Sequence, residues 1–140
     1  MKFLDFLGIK KMTTASKAVE IIQMYCNFYE ENKNLPISFY GLIPFGEKGS
    51  SRMHERPYTE TTSIDFPFEE ACIWEDWEDE EKIEKVIDIV EYGNITIAKE
   101  GCETYWLLIT AGKHRGEVWL LTEMGLTPAT ARIPSCGRCK

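Results

Sequence analysis

Two cysteines near the C-terminus have the spacing of a metal or redox site. Cys136-Gly-Arg-Cys139 is a CxxC pair, and thiolates at this spacing can hold zinc or cycle through a disulfide. A structural zinc site needs about four ligands, and the other cysteines and the two histidines form no second closely spaced pair. A metal-dependent enzyme would therefore require Cys136 and Cys139 to meet a further Cys or His. The sequence predicts two incidental thiols, no metal and no cofactor.

Other reagents for catalysis are sparse. His114 lies in a predicted turn flanked by glycines and His54 in a polar segment, so both are expected to face solvent. Ser50 and Ser51 lack the GxSxG frame of a hydrolase nucleophile, and the sequence contains no glycine-rich phosphate-binding motif. The acids between residues 76 and 81 lack the ligand register of an EF-hand loop. We therefore expect no enzymatic activity.

Negative charge is concentrated in one stretch of the chain. Residues 69–91 contain eleven acids and two bases, in a chain whose formal charge is −7. Such a field repels phosphate backbones and speeds the approach of a basic protein surface. The sequence therefore predicts a basic protein partner and no nucleic acid. The predicted contact residues combine aromatic anchors with acids: Trp74, Glu75, Asp76, Trp77, Glu78, Asp79, Glu80 and Glu81.

The same residues have a second interpretation, as parts of the fold. Bulky aromatic side chains beside the start of a helix usually face the core, which would make Trp74 and Trp77 packing residues. Acids at the N-terminal end of a helix interact favourably with the helix dipole, so part of the charge would belong to a solvated helix. Both interpretations stay open at the level of sequence.

Two helices are predicted to position these residues. Apolar side chains recur at three- and four-residue intervals over about 14–32, which indicates an amphipathic helix. A second apolar stripe predicts a helix over about 79–91.

Residues 36–62 are rich in glycine and proline and are expected to form loops or short extended pieces. Residues 64–68 alternate like an edge strand, where Pro67 would be tolerated.

Three apolar runs predict a β-meander around residues 94–121. The runs cover residues 94–98, 104–110 and 117–121 and are rich in β-branched and aromatic residues. The breaks between them contain glycines, which turns favour. With 140 residues, the chain has the length of one domain. We predict a single-domain α+β fold with a curved, mostly antiparallel sheet flanked by helices.

The sequence also bears on location. No apolar run approaches the roughly 20 residues that span a bilayer. The opening residues 1–7 contain Asp5 and lack a small-residue cleavage site, which argues against a signal peptide. Five cysteines are an odd number, as expected for reduced thiols. We expect a cytoplasmic protein with no membrane partner.

Several short motifs follow one another between residues 64 and 128. They are Asp65-Phe66-Pro67-Phe68, Ile73-Trp74-Glu75, Tyr92-Gly93-Asn94-Ile95-Thr96-Ile97-Ala98, Gly101-Cys102, Tyr105-Trp106-Leu107-Leu108-Ile109, Gly112 and Gly116-Glu117-Val118-Trp119. Their order and spacing resemble the SUKH superfamily, which includes the Smi/Knr-type proteins and many bacterial immunity proteins of polymorphic toxin systems.

The resemblance implies one α+β domain over residues 1–140 and a non-enzymatic role in the cytoplasm. Members of this type commonly bind and neutralise a cognate toxin, often a nuclease, which makes an immunity protein (antitoxin) the predicted function. Two features depart from the family pattern. Residues 35–40 only partly match the usual start and lack its glycine pair. Residues 129–140, where relatives often continue into an aromatic helix, are expected to be a short tail, flexible or truncated.

A different class of function is a small-ligand-binding or cell-envelope regulatory domain on the same fold. The concave face of the sheet would be its pocket, lined by Tyr105, Trp106 and Trp119. Strand alternation places Tyr105 and Trp106 on opposite faces, so they cannot both line it. An exposed sheet edge would also support a homodimer.

Overall fold

Five antiparallel strands and three helices make up the described part of an α+β fold. The structure is a computed structural model, and it describes residues 18–33, 42–47, 56–100 and 104–129. The helices are α1 (Ala18–Asn32), α2 (Tyr58–Thr61) and α3 (Glu80–Ile89), and the strands are β1 (Cys72–Ile73), β2 (Asn94–Glu100), β3 (Thr104–Ile109), β4 (Val118–Leu121) and β5 (Gly125–Pro128). The spatial order of the strands is β1-β5-β4-β3-β2. Within these ranges, no helix has both the length and the apolar character needed to cross a membrane.

The predicted meander is confirmed. β2, β3 and β4 are successive antiparallel neighbours, with Thr96 opposite Leu107 and Leu107 opposite Trp119. The meander continues into β5, which pairs with β4, and β5 in turn pairs with β1. β1 and β5 were not predicted, because strands of two and four residues carry too little periodicity to be recognised.

The predicted edge strand at residues 64–68 is wrong. These residues are irregular, and the strand at that end of the sheet is β1. The alternation arises because Phe66 and Phe68 are buried while Pro67 is exposed. The Phe66 N–H donates to the Ala111 carbonyl oxygen at 3.0 Å, which fixes the segment beside the turn that follows β3. Two buried phenylalanines thus produced a strand-like pattern without a strand.

The two faces of the sheet carry separate apolar clusters, because neighbouring residues of a strand point to opposite faces. One face packs against Ile21 and Tyr25 of α1 and includes Ile95, Ile97, Leu108 and Val118. The other packs against Ile83 and Val86 of α3 and includes Tyr105, Leu107, Ile109, Trp119 and Leu121. The sheet therefore lies between α1 and α3.

Both predicted long helices are confirmed within the described residues. The described part of α1 is Ala18–Asn32; its end at Asn32 agrees with the prediction, and the predicted start at about residue 14 lies outside the described ranges. α3 begins at Glu80, directly after its N-cap Asp79. The prediction of loops over 36–62 is wrong at α2, a single turn that begins after Pro57. One helical turn is too short to show a periodic pattern.

Candidate protein-binding surface

Residues 75–81, here called the acidic segment, run from the end of the sheet into the first turn of α3. The segment begins two residues after β1, where the N–H groups of Trp74 and Glu75 donate to the Met124 carbonyl oxygen at 2.9 and 3.1 Å. A turn follows, in which the Trp77 N–H donates to the Trp74 carbonyl oxygen at 3.0 Å. Backbone hydrogen bonds therefore hold the start of the acidic segment against the turn between β4 and β5.

Trp74 lies in the core. Its side chain belongs to the cluster on the α3 face, and the residue is only 5% exposed. The indole N–H donates to the Glu123 carbonyl oxygen at 2.9 Å, so the one polar atom of this buried ring has a partner. This position matches the packing interpretation, in which Trp74 holds the acidic segment in place and offers a partner almost no contact area.

Trp77 is half-buried and packs against the same core cluster. The Lys82 ammonium lies 4.1 Å from the centroid of its ring, a cation–π contact between the acidic segment and the first turn of α3. Trp77 thus combines a packing role with a partly accessible surface.

The six acids of the acidic segment are all exposed, and three of them serve α3. The Asp79 carboxylate caps the helix by accepting a hydrogen bond from the Lys82 N–H at 3.2 Å. Glu80 and Glu81 lie in the first helical turn, where the helix dipole favours negative charge. The ion pair between Glu81 and Lys85, at 3.5 Å, joins two highly exposed side chains and contributes little to stability.

The other three acids have no such role. Glu75, Asp76 and Glu78 precede α3, and we call them the acidic loop. Within the described part of the chain, their carboxylates form no hydrogen bond and no ion pair. Their negative charge is therefore available to a partner at no cost to contacts inside the fold.

The far end of α3 is different, because Arg56 pairs with Asp88 in the helix and with Glu91, two residues beyond it. The Arg56 guanidinium pairs with the buried Glu91 carboxylate, and its Nη2 lies 2.9 Å from Asp88 Oδ1. The Arg56 backbone N–H also donates to Glu91 Oε2 at 3.1 Å. The hydrogen bonds that the guanidinium donates to Asp88 and Glu91 raise the pKa of Arg56 above its ordinary value, so the guanidinium stays charged. The uncompensated negative charge is therefore concentrated before α3.

The sequence did not reveal this role of Arg56. It lies in a segment without periodicity, far along the chain from its two partners. Only the tertiary fold, which places residue 56 beside residues 88–91, brings the three side chains together.

His114 does not face solvent, and that prediction is wrong. Its side chain is 16% exposed, with Nδ1 2.9 Å from Glu117 Oε2 and Nε2 2.9 Å from the Glu69 carbonyl oxygen. Its ring centroid also lies 5.1 Å from that of Trp119. His114 thus fastens the turn after β3 to the chain that enters β1.

The ranges that the structure describes contain no group of three or more His, Cys, Asp or Glu side chains suited to a metal ion. The predicted thiol pair Cys136 and Cys139 lies outside the described residues, as does His54. Cys26 and Cys72 are free and partly buried, and burial raises the pKa of both thiols. A raised pKa leaves less of the nucleophilic thiolate.

The aromatic residues proposed for a ligand pocket lie on two faces of the sheet. Tyr105 and Trp119 belong to the cluster under α3, whereas Trp106 packs with the cluster under α1. The predicted separation of Tyr105 from Trp106 is therefore confirmed. Tyr105 and Trp119 are buried among core side chains. A pocket on that face would have to displace part of the core.

The chain matches no protein-family model, no curated protein and no solved structure. Its membership of the SUKH superfamily therefore stays a prediction. The charge and packing of the acidic segment support a protein-binding function.

Proposed function

We propose that this chain is a non-enzymatic protein-binding module that captures a basic partner through its acidic segment. It acts as an immunity protein in the cytoplasm, neutralising a cognate toxin such as a nuclease by direct binding. The observation that carries the proposal is the acidic loop, whose three exposed carboxylates have no partner among the described residues. The toxin as the partner comes from the resemblance to the SUKH superfamily.

Physical chemistry connects an acidic surface with this kind of partner. A nuclease must bind a polyanionic backbone, and it does so with lysine and arginine side chains. An acidic protein surface attracts that same basic patch and accelerates encounter at low salt. Once bound, it covers the patch and keeps nucleic acid away.

The backbone under the acidic loop also suits recognition. Hydrogen bonds to Met124 and the buried ring of Trp74 fix its start, and the Asp79 cap fixes its end. A surface that is already ordered loses less conformational entropy on binding than a mobile one. Trp77, half-buried at its centre, adds apolar contact area beside the charges.

The test begins with capture of a partner on the immobilised full chain at low salt. The captured basic protein is then expressed in cells with and without this chain. We expect it to arrest growth when expressed alone and to be harmless when co-expressed. Failure to retain any basic protein, or a captured protein whose toxicity is unaffected by this chain, would contradict the proposal.

Charge neutralisation locates the binding surface. The variant Glu75→Gln/Asp76→Asn/Glu78→Gln leaves the Asp79 cap intact. We expect it to slow association with the captured partner about tenfold at low salt and much less at high salt, because steering is screened. Stopped-flow or biolayer measurements of the association rate provide the readout.

A matched control removes the same charge elsewhere. Glu31, Glu47 and Glu60 are exposed acids outside the acidic segment, and their triple change to Gln alters the net charge equally. We expect it to leave the association rate within about twofold of the parent chain. Equal association rates for the two triple variants at low salt would show that the acidic loop does not steer the partner.

A further inference from the structure

Within the described ranges, β1 leaves one edge of the sheet without a neighbouring strand. Among the described strands it is the end strand of the sheet and pairs with β5 alone, where Cys72 lies opposite Leu126. The Trp74 N–H bond to Met124 continues the same ladder two residues later. Since successive residues of an antiparallel strand direct their peptide groups to opposite sides, the N–H and C=O of Ala71 and Ile73 point away from β5.

The opposite edge of the sheet, formed by β2, is closed by other parts of the chain. The Ile43 N–H donates to the Ile97 carbonyl oxygen at 2.8 Å, at a register shift in β2. The Thr96 N–H donates to the Tyr58 hydroxyl at 3.0 Å. No such bond from the described residues reaches the outward peptide groups of Ala71 and Ile73.

The open edge has an apolar centre and an acidic surround. Ile73 is 44% exposed, while its neighbour Cys72 packs toward the core. Exposed acids lie on both sides along the chain: Glu69 and Glu70 before β1, and the acidic loop after it. Residues 69–81 contain eight acids and no base. The charge therefore favours a basic segment over a neutral or acidic one.

We propose that the outer edge of β1 binds an extended, lysine- and arginine-rich segment of a partner protein as an added strand. Backbone hydrogen bonds to Ala71 and Ile73 supply the pairing, the Ile73 side chain contacts one apolar residue of the segment, and the flanking acids pair with its bases. The inference rests on the proposed function and specifies how the acidic surface holds its partner.

The experiment uses the full chain labelled with nitrogen-15 and a synthetic probe. The probe is the blocked peptide Lys-Val-Lys-Val-Lys-Val-Lys, and its control is the same sequence with every backbone nitrogen methylated. Both have the same charge, but the control cannot donate to a strand. We expect the probe to slow hydrogen exchange at the Ala71 and Ile73 amides about tenfold, and the control to bind at least about tenfold more weakly.

A pair of variants tests the edge from the side of the protein. Ile73→Pro removes the outward N–H, and because that group makes no bond to β5, the edge strand tolerates the change. Ile73→Val keeps the N–H. We expect the proline variant to bind the probe about tenfold more weakly than the valine variant, with similar urea midpoints for both.

The outcomes separate this inference from the proposed function. If both peptides bind equally and shift only the acidic loop, charge docking holds and the added strand is wrong. If neither peptide binds, both proposals fail for this surface. Slow hydrogen exchange at the Ala71 and Ile73 amides in the free chain would overturn the inference. The edge would then be covered by the chain's own residues, or by a second copy of the chain if the protection depends on protein concentration.

Discussion

Replacing Gly93 by alanine adds one methyl group where two backbone segments touch. Gly93 connects the end of α3 to β2 and has a φ of +69°. A Cβ at this position would lie 2.3 Å from the Phe66 nitrogen and 2.7 Å from the Ile64 carbonyl oxygen. These are backbone atoms, so no side-chain rotation relieves the overlap. The 64–66 segment must move, and it carries the buried Phe66 ring and its bond to Ala111.

The expected loss in the free energy of unfolding is the sum of three costs. The left-handed conformation costs an L-residue about 1–2 kcal/mol relative to glycine. Forcing a packed segment to shift costs about 1–3 kcal/mol. Loss or distortion of the Phe66 hydrogen bond costs about 1 kcal/mol. We therefore expect Gly93→Ala to lower the free energy of unfolding by about 3–6 kcal/mol, a large part of the roughly 5–15 kcal/mol that stabilises a domain.

The control is Gly46→Ala. Gly46 also has a positive φ, +104°, but no heavy atom of the described residues lies within 4 Å of the Cβ that alanine would add. The change thus introduces backbone strain without overlap. Urea unfolding followed by tryptophan fluorescence measures both variants, since Trp74 and Trp119 are buried in the fold and exposed on unfolding.

The difference in unfolding free energy between the two variants isolates the cost of the close approach between Gly93 and the 64–66 segment. We expect Gly46→Ala to cost about 1–2 kcal/mol, from strain alone. A chain that fails to fold when Gly93 is replaced is the extreme form of the expected result. If the two variants differ by less than about 1 kcal/mol, the contact between Gly93 and the 64–66 segment is not rigid and the reasoning is wrong.

Two further predictions concern α1 and α3. Burial, with a smaller effect of neighbouring phenols, raises the pKa of Tyr25 above its ordinary value of 10.0. The stability that the neutral Tyr25 side chain contributes is therefore complete below pH 10.0 and is lost as the pH rises above that value. Tyr25→Phe should flatten the fall of the urea midpoint above about pH 10, and an unchanged slope would contradict this. Asp79→Ala should cost about 1 kcal/mol in urea unfolding through loss of the helix cap, whereas Asp79→Asn keeps an acceptor; equal losses would refute the capping role.

The sequence by itself determined the meander and the two long helices. Their signals are local: β-branched runs with glycine breaks for β2 to β4, and three- and four-residue apolar spacing for α1 and α3. The pairing of β2, β3 and β4 follows because strands that are neighbours in sequence pair most readily. The exposure of the acids in the acidic segment was also foreseeable, since burying so many unpaired carboxylates is too costly.

Tertiary structure alone decided the ends of the sheet. β1 is a strand because Cys72 and Ile73 meet Leu126 and Gly125, which lie far away in sequence. A Cβ at Gly125 would lie 2.5 Å from the Cys72 carbonyl oxygen, so this pairing needs glycine there. No local pattern at residues 72–73 signals such a partner.

Tertiary structure also divided the candidate site between packing and surface. Two tryptophans three residues apart look alike in sequence, yet Trp74 is buried and Trp77 is half-exposed. The acids in and around α3 look alike too, but Arg56 pairs with Asp88 and Glu91 at the C-terminal end only. Composition and periodicity report what each segment prefers by itself. Which side chains are covered or paired depends on neighbours brought together by the fold, and those contacts leave no local trace in the sequence.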